Sequence, residues 1–288
     1  MPATPDSPAF ICVYGPSGVG KSTDQGRAFP NGLFIAAPGA LESITSTWGY
    51  GVAHVPATDI EEATAIVKSN AGKFDAIVVD DFSFLAEKTF ARLEKKHTGF
   101  KLWGALRDVT LDFRDAARYA SMHVALSCWM QPPATKPDGT RVRGGPMLSG
   151  KLPEQLPAMC DIVLQCAQEP MRKPWPTVYR CYPSNDYVMK DRFNISTVCD
   201  PAPMNLGEIL RAAGYQLSRH KSAPWQEDIV TKLAVSFIDP TKDGEIANAA
   251  YQKLIAANIP PKMARLTISD ALDRAVIKRG LTLRDSTF

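Results

Sequence analysis

Apolar and polar positions fall along this chain in blocks whose periods name the elements. Phe10-Ile-Cys-Val-Tyr14 is an unbroken apolar run between Pro8 and Gly15, which predicts a strand buried on both faces. Runs at 33–37, stopped by Pro38-Gly39, at 74–81, ending in Asp80-Asp81, and at 122–130 read the same way, with a short strand at 52–55. Between them the period lengthens. Asp59 precedes Ile60, Ala63, Ile66 and Val67, one face of a helix through Ser69. Helices are predicted at 82–96 and 102–120, the second with a stripe of Leu102, Leu106, Val109, Phe113, Ala117 and Ala120. Residues 131–151, rich in Pro, Gly and cations, predict a loop. Runs at 161–167, 176–182 and 187–192 have no long helix between them, which predicts an antiparallel or mixed edge to the sheet. Pro201 and Pro203 mark a seam. Beyond it Trp225, Ile229, Leu233 and Phe237, then Ile246, Ala250 and Leu254, then Ala271, Leu272, Ala275 and Val276 repeat at helical spacing. The predicted organisation is a lead-in at 1–8, an α/β core at 9–204 and a small helical subdomain or lid at 205–288.

Composition narrows the class without choosing a function. At 288 residues, 45% hydrophobic and 22% charged, the chain is that of a soluble globular protein with a sizeable core. A net charge of +3 makes any basic surface local. The six cysteines form no Cys-x-x-Cys pair and five lie in apolar runs, which predicts buried thiols and a reducing cytoplasm. No leader pattern and no apolar run of membrane-spanning length is present, so no membrane partner is expected. The four histidines are scattered without metal spacing.

The chemistry concentrates after the first strand. Gly15-Pro16-Ser17-Gly18-Val19-Gly20-Lys21-Ser22 matches the phosphate-binding pattern Gly-x-x-x-x-Gly-Lys-Ser. Its glycines let backbone N–H groups turn inward on phosphate oxygens. Lys21 adds a charge near the outer phosphates, and Ser22 offers a hydroxyl to Mg²⁺ at the start of a helix. Four apolar residues followed by Asp80 are the second signature of an ATP site, with Asp80 and Ser22 as the candidate Mg²⁺ shell. Asp81 either caps the next helix or orients the attacking water.

The loop, the Asp80 strand, the run at 122–130 and Val188-Met-Lys190-Asp-Arg192 together resemble the RecA-like P-loop ATPase core, over about residues 8–200. The likeness is greatest to the compact RecA-like ATPases of bacteriophages that act in single-strand annealing and recombination. The resemblance implies a mainly parallel sheet flanked by helices. It also implies a homo-oligomer, ring or filament, that binds ATP between protomers beside single-stranded DNA, in the host cytoplasm if phage-encoded. It assigns Lys190 and Arg192 to the neighbour's γ-phosphate and the 131–151 segment, with Lys136, Arg141, Arg143 and Lys151, to DNA. Trp129 and Met130 stand at that segment's entrance, and Gln131 is a candidate γ-phosphate sensor.

One departure bears on turnover. In this family the second strand ends in an acid that orients the hydrolytic water, whereas here it ends in Pro38-Gly39. Glu42, four residues later, or Asp81 must substitute. Two other functions therefore stay open: a nucleotide-gated assembly protein with little hydrolysis, and a small-molecule kinase, against which stands the lack of an arginine-rich lid segment.

Overall fold

The computed structural model describes residues 7–37, 39–169, 177–182, 184–192, 200–218, 226–259 and 261–285, with backbone alone at 226–228, 262–263 and 280–285. Residues 1–6 of the expected lead-in, Pro38, Pro176, Cys199, His220 and Trp225 lie outside them. The chain runs β1 (Phe10–Tyr14), α1 (Lys21–Ala28), β2 (Leu33–Ala36), α2 (Glu42–Trp48), β3 (Ala53–Val55), α3 (Ile60–Ser69), β4 (Ala76–Asp80), α4 (Phe82–Glu94), α5 (Gly99–Tyr119) and β5 (His123–Cys128). The short strands β6 (Met130–Gln131), β7 (Ala134–Thr135), β8 (Arg141–Val142) and β9 (Gly145–Pro146) follow. Next come α6 (Leu152–Met159), β10 (Ile162–Gln168), β11 (Thr177–Arg180), β12 (Lys190–Asp191) and β13 (Ala202–Pro203). Four helices close the chain: α7 (Leu206–Ala212), α8 (Gln226–Ala234), α9 (Asp243–Ala256) and α10 (Pro261–Asp285).

Among the described residues one sheet holds the order β13-β11-β10-β1-β5-β4-β2-β3, with β12 also on β10. The pairs from β10 through β1, β5, β4 and β2 to β3 are parallel, whereas β11 and β12 join β10 antiparallel and β13 joins β11 antiparallel. This is the mainly parallel, helix-flanked RecA-like P-loop architecture with an antiparallel edge. One strand, β5, separates the phosphate-loop strand from the Asp80 strand.

The apolar runs are strands because both faces are covered. Ile11 and Val13 of β1 pack beneath α1 and α7, while Phe10, Cys12 and Tyr14 pack beneath α3, α4 and α5. Caps start the helices: Asp59 accepts from Glu62 N at 2.9 Å, Asp81 from Phe84 N at 3.2 Å, and Asn205 from Glu208 N at 3.2 Å. Helices α8, α9 and α10 share an apolar cluster around Phe237, Leu254 and Ala271, while α7 belongs to the cluster under α1.

Several local expectations are corrected. Residues 131–151 are two short ladders, β6 with β9 and β7 with β8, because extended Gly-Pro segments can satisfy their backbone groups by pairing. The seam at Pro203 is an edge strand, where a proline costs no ladder bond on its open side. Helices α2 and α6 were not expected, whereas α7 opens the stretch read as helical beyond the seam. In α6 Pro153 stands in the first turn, where its missing N–H costs nothing, and Pro157 lies inside the helix.

Candidate functional site

Parallel pairing brings the carboxyl ends of β1, β2, β4 and β5 to one edge, and the candidate site is built there. Gly15 takes the chain off β1 hard against β10: a Cβ at this position would lie 2.7 Å from Cys166 Cβ, so only glycine fits. Pro16, Ser17 and Gly18 form an exposed crown, and Val19 tucks into the core. Gly20, at φ 98°, caps α1 with no side chain over the helix end. The first-turn N–H groups of α1 therefore receive no capping side chain, and an anion is favoured at such a helix start. Lys21 lies back across the loop, its ammonium donating to Gly15 O at 3.0 Å and Pro16 O at 2.9 Å.

Beside this crown opens a cleft of about 280 Å³, lined by Ser22, Ala36, Ala37, Asp80, Asp81 and Trp129 among others. Trp129 is placed by its backbone N–H donating to Ser83 Oγ at 3.0 Å. Asp80 ends β4 in register with Ala36. It is 9% exposed, and its carboxylate makes no hydrogen bond or ion pair among the described residues. A nearly buried carboxylate without a proton donor, facing the same cleft as the Ser22 hydroxyl, suits a hard cation. Among the described residues no group of three His, Cys, Asp or Glu side chains could hold a metal unaided. A Mg²⁺ here would draw its other ligands from phosphate oxygens and water, as this ion ordinarily does.

Asp81 caps α4 and lines the cleft together with Asp80. Burial pushes its carboxyl up to about 6, assisted by the adjacent Asp80 charge and opposed by the Phe84 N–H and by Lys21. The cap and a role toward water are thus compatible at one residue. Glu42, the first residue of α2, is exposed and is not among the residues lining the cleft.

The remaining sequence-derived candidates lie apart from the loop. Lys190 pairs with Val163 near the beginning of β10, and Arg192 N donates to Asp161 O, at the amino edge of the sheet. Asp161 stands beside Phe10, so Arg192 is on the order of 16 Å of strand from Gly15. Its guanidinium binds Asp161 at 2.6 Å, and the Lys190 ammonium closes the end of α6 by donating to Cys160 O at 2.6 Å and Ala158 O at 3.1 Å. Burial, then the charge of Arg192, lowers the Lys190 pKa. Lys136, Arg141 and Arg143 are exposed on the β6–β9 arm, with Arg141 paired to Asp186 at 2.9 Å. Lys151 caps α6 at the foot of that arm, and Gln131 is half-buried in β6. Trp48 and Tyr50 pack on α1, their N–H and O–H donating to Thr23 O at 2.6 Å and Gly26 O at 3.2 Å.

Sequence reasoning missed what fixes α1. Asp24 accepts from Tyr179 Oη at 2.6 Å and from Leu206 N at 3.0 Å. Arg27 forms ion pairs with Asp270 and Asp273 of α10, and Asn205 Nδ2 donates to Asp273 at 2.8 Å. Burial raises both Asp24 and Asp273 to about 6, with Arg27 opposing in each case. The available signal was a pair of charges, Asp24 and Arg27, in a short helix that follows a phosphate loop. Their partners are too distant in sequence to be named from it.

A family model described as an AAA domain matches residues 7–193. Among solved structures, a KaiC-like protein of the hyperthermophilic archaeon Pyrococcus horikoshii is similar at 13% identity and TM-score 0.40, over 66% of this chain and 92% of that one. No curated protein matches the chain.

Proposed function

The chain belongs to this AAA-domain family, and from that premise we propose that it is a Mg²⁺-dependent ATPase of RecA-like kind that works on single-stranded DNA. The observation that carries the nucleotide half is the cleft in which Ser22, at the uncapped start of α1, faces the unpartnered Asp80. Loop N–H groups and Lys21 take the β- and γ-phosphates. Ser22 and Asp80 would hold Mg²⁺, which would supply positive charge to the phosphate oxygens. Asp81 orients the attacking water, and Glu42, which does not line the cleft, is the second acid only if α2 brings it closer when nucleotide is bound. No helix among the described residues is long and apolar enough to cross a membrane, and the five described cysteines are buried free thiols, which supports a cytoplasmic setting.

The finer parts of the proposal rest on placement. The arm carrying Lys136, Arg141 and Arg143 leaves the same sheet edge as the phosphate loop, so DNA on it would sense the nucleotide. Arg192 keeps 57% of its side chain exposed beside Asp161 and is too far from its own loop, so it serves only a neighbouring protomer in a ring or filament. ATP turnover measured with and without an oligonucleotide tests the whole. Stimulation supports it, and transfer of phosphate to a small acceptor would replace it with a kinase.

A second reading has its own observation. Ala36 and Ala37 line the cleft where the family's strand-end acid is expected, leaving Asp80 and Asp81 as the carboxylates that line it. Nucleotide binding that drives assembly with negligible turnover would favour nucleotide-gated assembly.

A further inference from the structure

Helix α5 carries a second stripe beside its buried one. Phe100, Trp103, Gly104 and Arg107, exposed, then Leu111, Arg114 and Arg118, half-buried, recur at helical spacing on the flank that meets α6. That face and α6 enclose two cavities of about 620 and 610 Å³. Both are lined by Arg107 and Gln155, so they form one continuous trough. Helices α5 and α6 end just before β5 and β10, which start at the amino edge of the sheet, but α6 has 8 residues against the 21 of α5. The trough therefore follows α5 for about 30 Å, with α6 as its wall over roughly 12 Å.

Its chemistry is lopsided. Arg107, Arg114, Arg118 and Lys151 line it against one carboxylate, Asp115, which Arg114 binds at 2.5 Å. Arg118 is held from below by Asp161 at 2.6 Å. Aromatic rings stand at both ends: Phe100 is 97% exposed and Tyr119 84%, and Trp103, 44% exposed, lies over Gly150. Leaving such rings in water is unfavourable unless something covers them. An acidic protein segment would satisfy the cations alone. Rings and cations alternating along an extended trough match a strand that offers both bases and phosphates.

We propose that the α5–α6 trough binds single-stranded DNA, with Arg107, Arg114 and Lys151 on phosphates and Phe100 and Tyr119 stacking on bases. The proposal rests on the DNA reading above and deepens it, since Lys151 joins the foot of the basic arm to the upper end of the trough.

The test is fluorescence anisotropy of the full chain with a labelled twenty-nucleotide oligo-dT across a salt series. Arg107→Glu with Arg114→Glu should lower affinity at least tenfold and reduce the slope of log K against log salt by roughly 1 to 1.5. Phe100→Ala with Tyr119→Ala should lower affinity about tenfold or more while leaving the slope alone. Both variants should retain ATP binding, which also reports on folding. Unchanged affinity and slope in both overturn the trough. If Arg141→Ala with Arg143→Ala alone loses binding, DNA lies on the arm only and the proposed function stands without the trough. Equal affinity for a polyglutamate of matched charge, or a lower particle mass of the unliganded Phe100 variant, reassigns the trough to an acidic protein or to a second copy and overturns the proposal. No oligonucleotide binding by the unsubstituted protein overturns trough and DNA reading together.

Discussion

The two ends of α1, eight residues long, are built on opposite principles. At its start, Gly20 supplies no capping side chain, and the Lys21 ammonium finds only loop carbonyls. At its other end, Arg27 is 10% exposed and ion-paired to Asp270 and Asp273, and between the two Asp24, still in the first turn, is held by Tyr179 and Leu206. The helix start has no capping side chain, whereas the Arg27 guanidinium at the second end is ion-paired inside the fold; between them Asp24 Oδ1 and Gln25 Nε2 are buried without a hydrogen-bond partner among the described residues. The difference teaches how a phosphate cradle can stay under-satisfied without collapsing. The helix behind it is over-determined, so the loop keeps its shape when its donors are not engaged.

The comparison breaks most easily at the satisfied end. Arg27→Met should cost about 3–5 kcal/mol in chemical denaturation, because it leaves Asp24, Asp270 and Asp273 buried without their cation. The pH dependence sharpens this. Asp24 and Asp273 stand near 6 in the folded chain, above the ordinary carboxylate value of 3.8. The folded state therefore binds extra protons between those values, and stability falls as pH rises from about 4 to 6. In Arg27→Met that fall should be steeper and extend to higher pH; a flat difference between the two proteins would deny the coupling. At the open end, Lys21→Ala should weaken ATP binding by about a hundredfold, or ~2.7 kcal/mol, in a titration. Unaltered affinity would remove the loop from the site.

Asp81→Asn keeps an acceptor for the Phe84 N–H, so stability should change little. Turnover should drop about ten- to a hundredfold, and the decline in rate below pH ~6 should vanish, if the ionised carboxylate handles water. Wild-type-like turnover would transfer that role to Glu42 or elsewhere. Tyr179→Phe removes a single donor to Asp24 and should cost about 1–2 kcal/mol with nucleotide affinity nearly intact. A large loss of affinity there would show that the two ends of α1 are not independent.

Much of the sheet edge that carries the candidate site was legible because strands covered on both faces read as unbroken apolar runs. Those at 10–14 and 76–80 by themselves place Gly15 and Asp80 at strand ends. Helix α6 was not legible, since two prolines in eight residues disfavour a helix unless one stands in the first turn, as Pro153 does. The second stripe of α5 was written at helical spacing, but only its apolar counterpart was read, because burial is what periodicity reports most strongly.

The sequence by itself determined the phosphate loop, the acid that faces it and the α/β alternation that must bring them to one sheet edge. These are local matters of spacing and backbone permissiveness. Only the tertiary structure decided the rest. Arg27 meets Asp270 across 243 residues, and Arg192 is carried to the edge opposite the loop by an antiparallel pairing. Ala36, not an acid, stands in register with Asp80. Such juxtapositions depend on strand order and helix docking, which are set by burial summed over the whole chain and leave no trace in any short stretch of it.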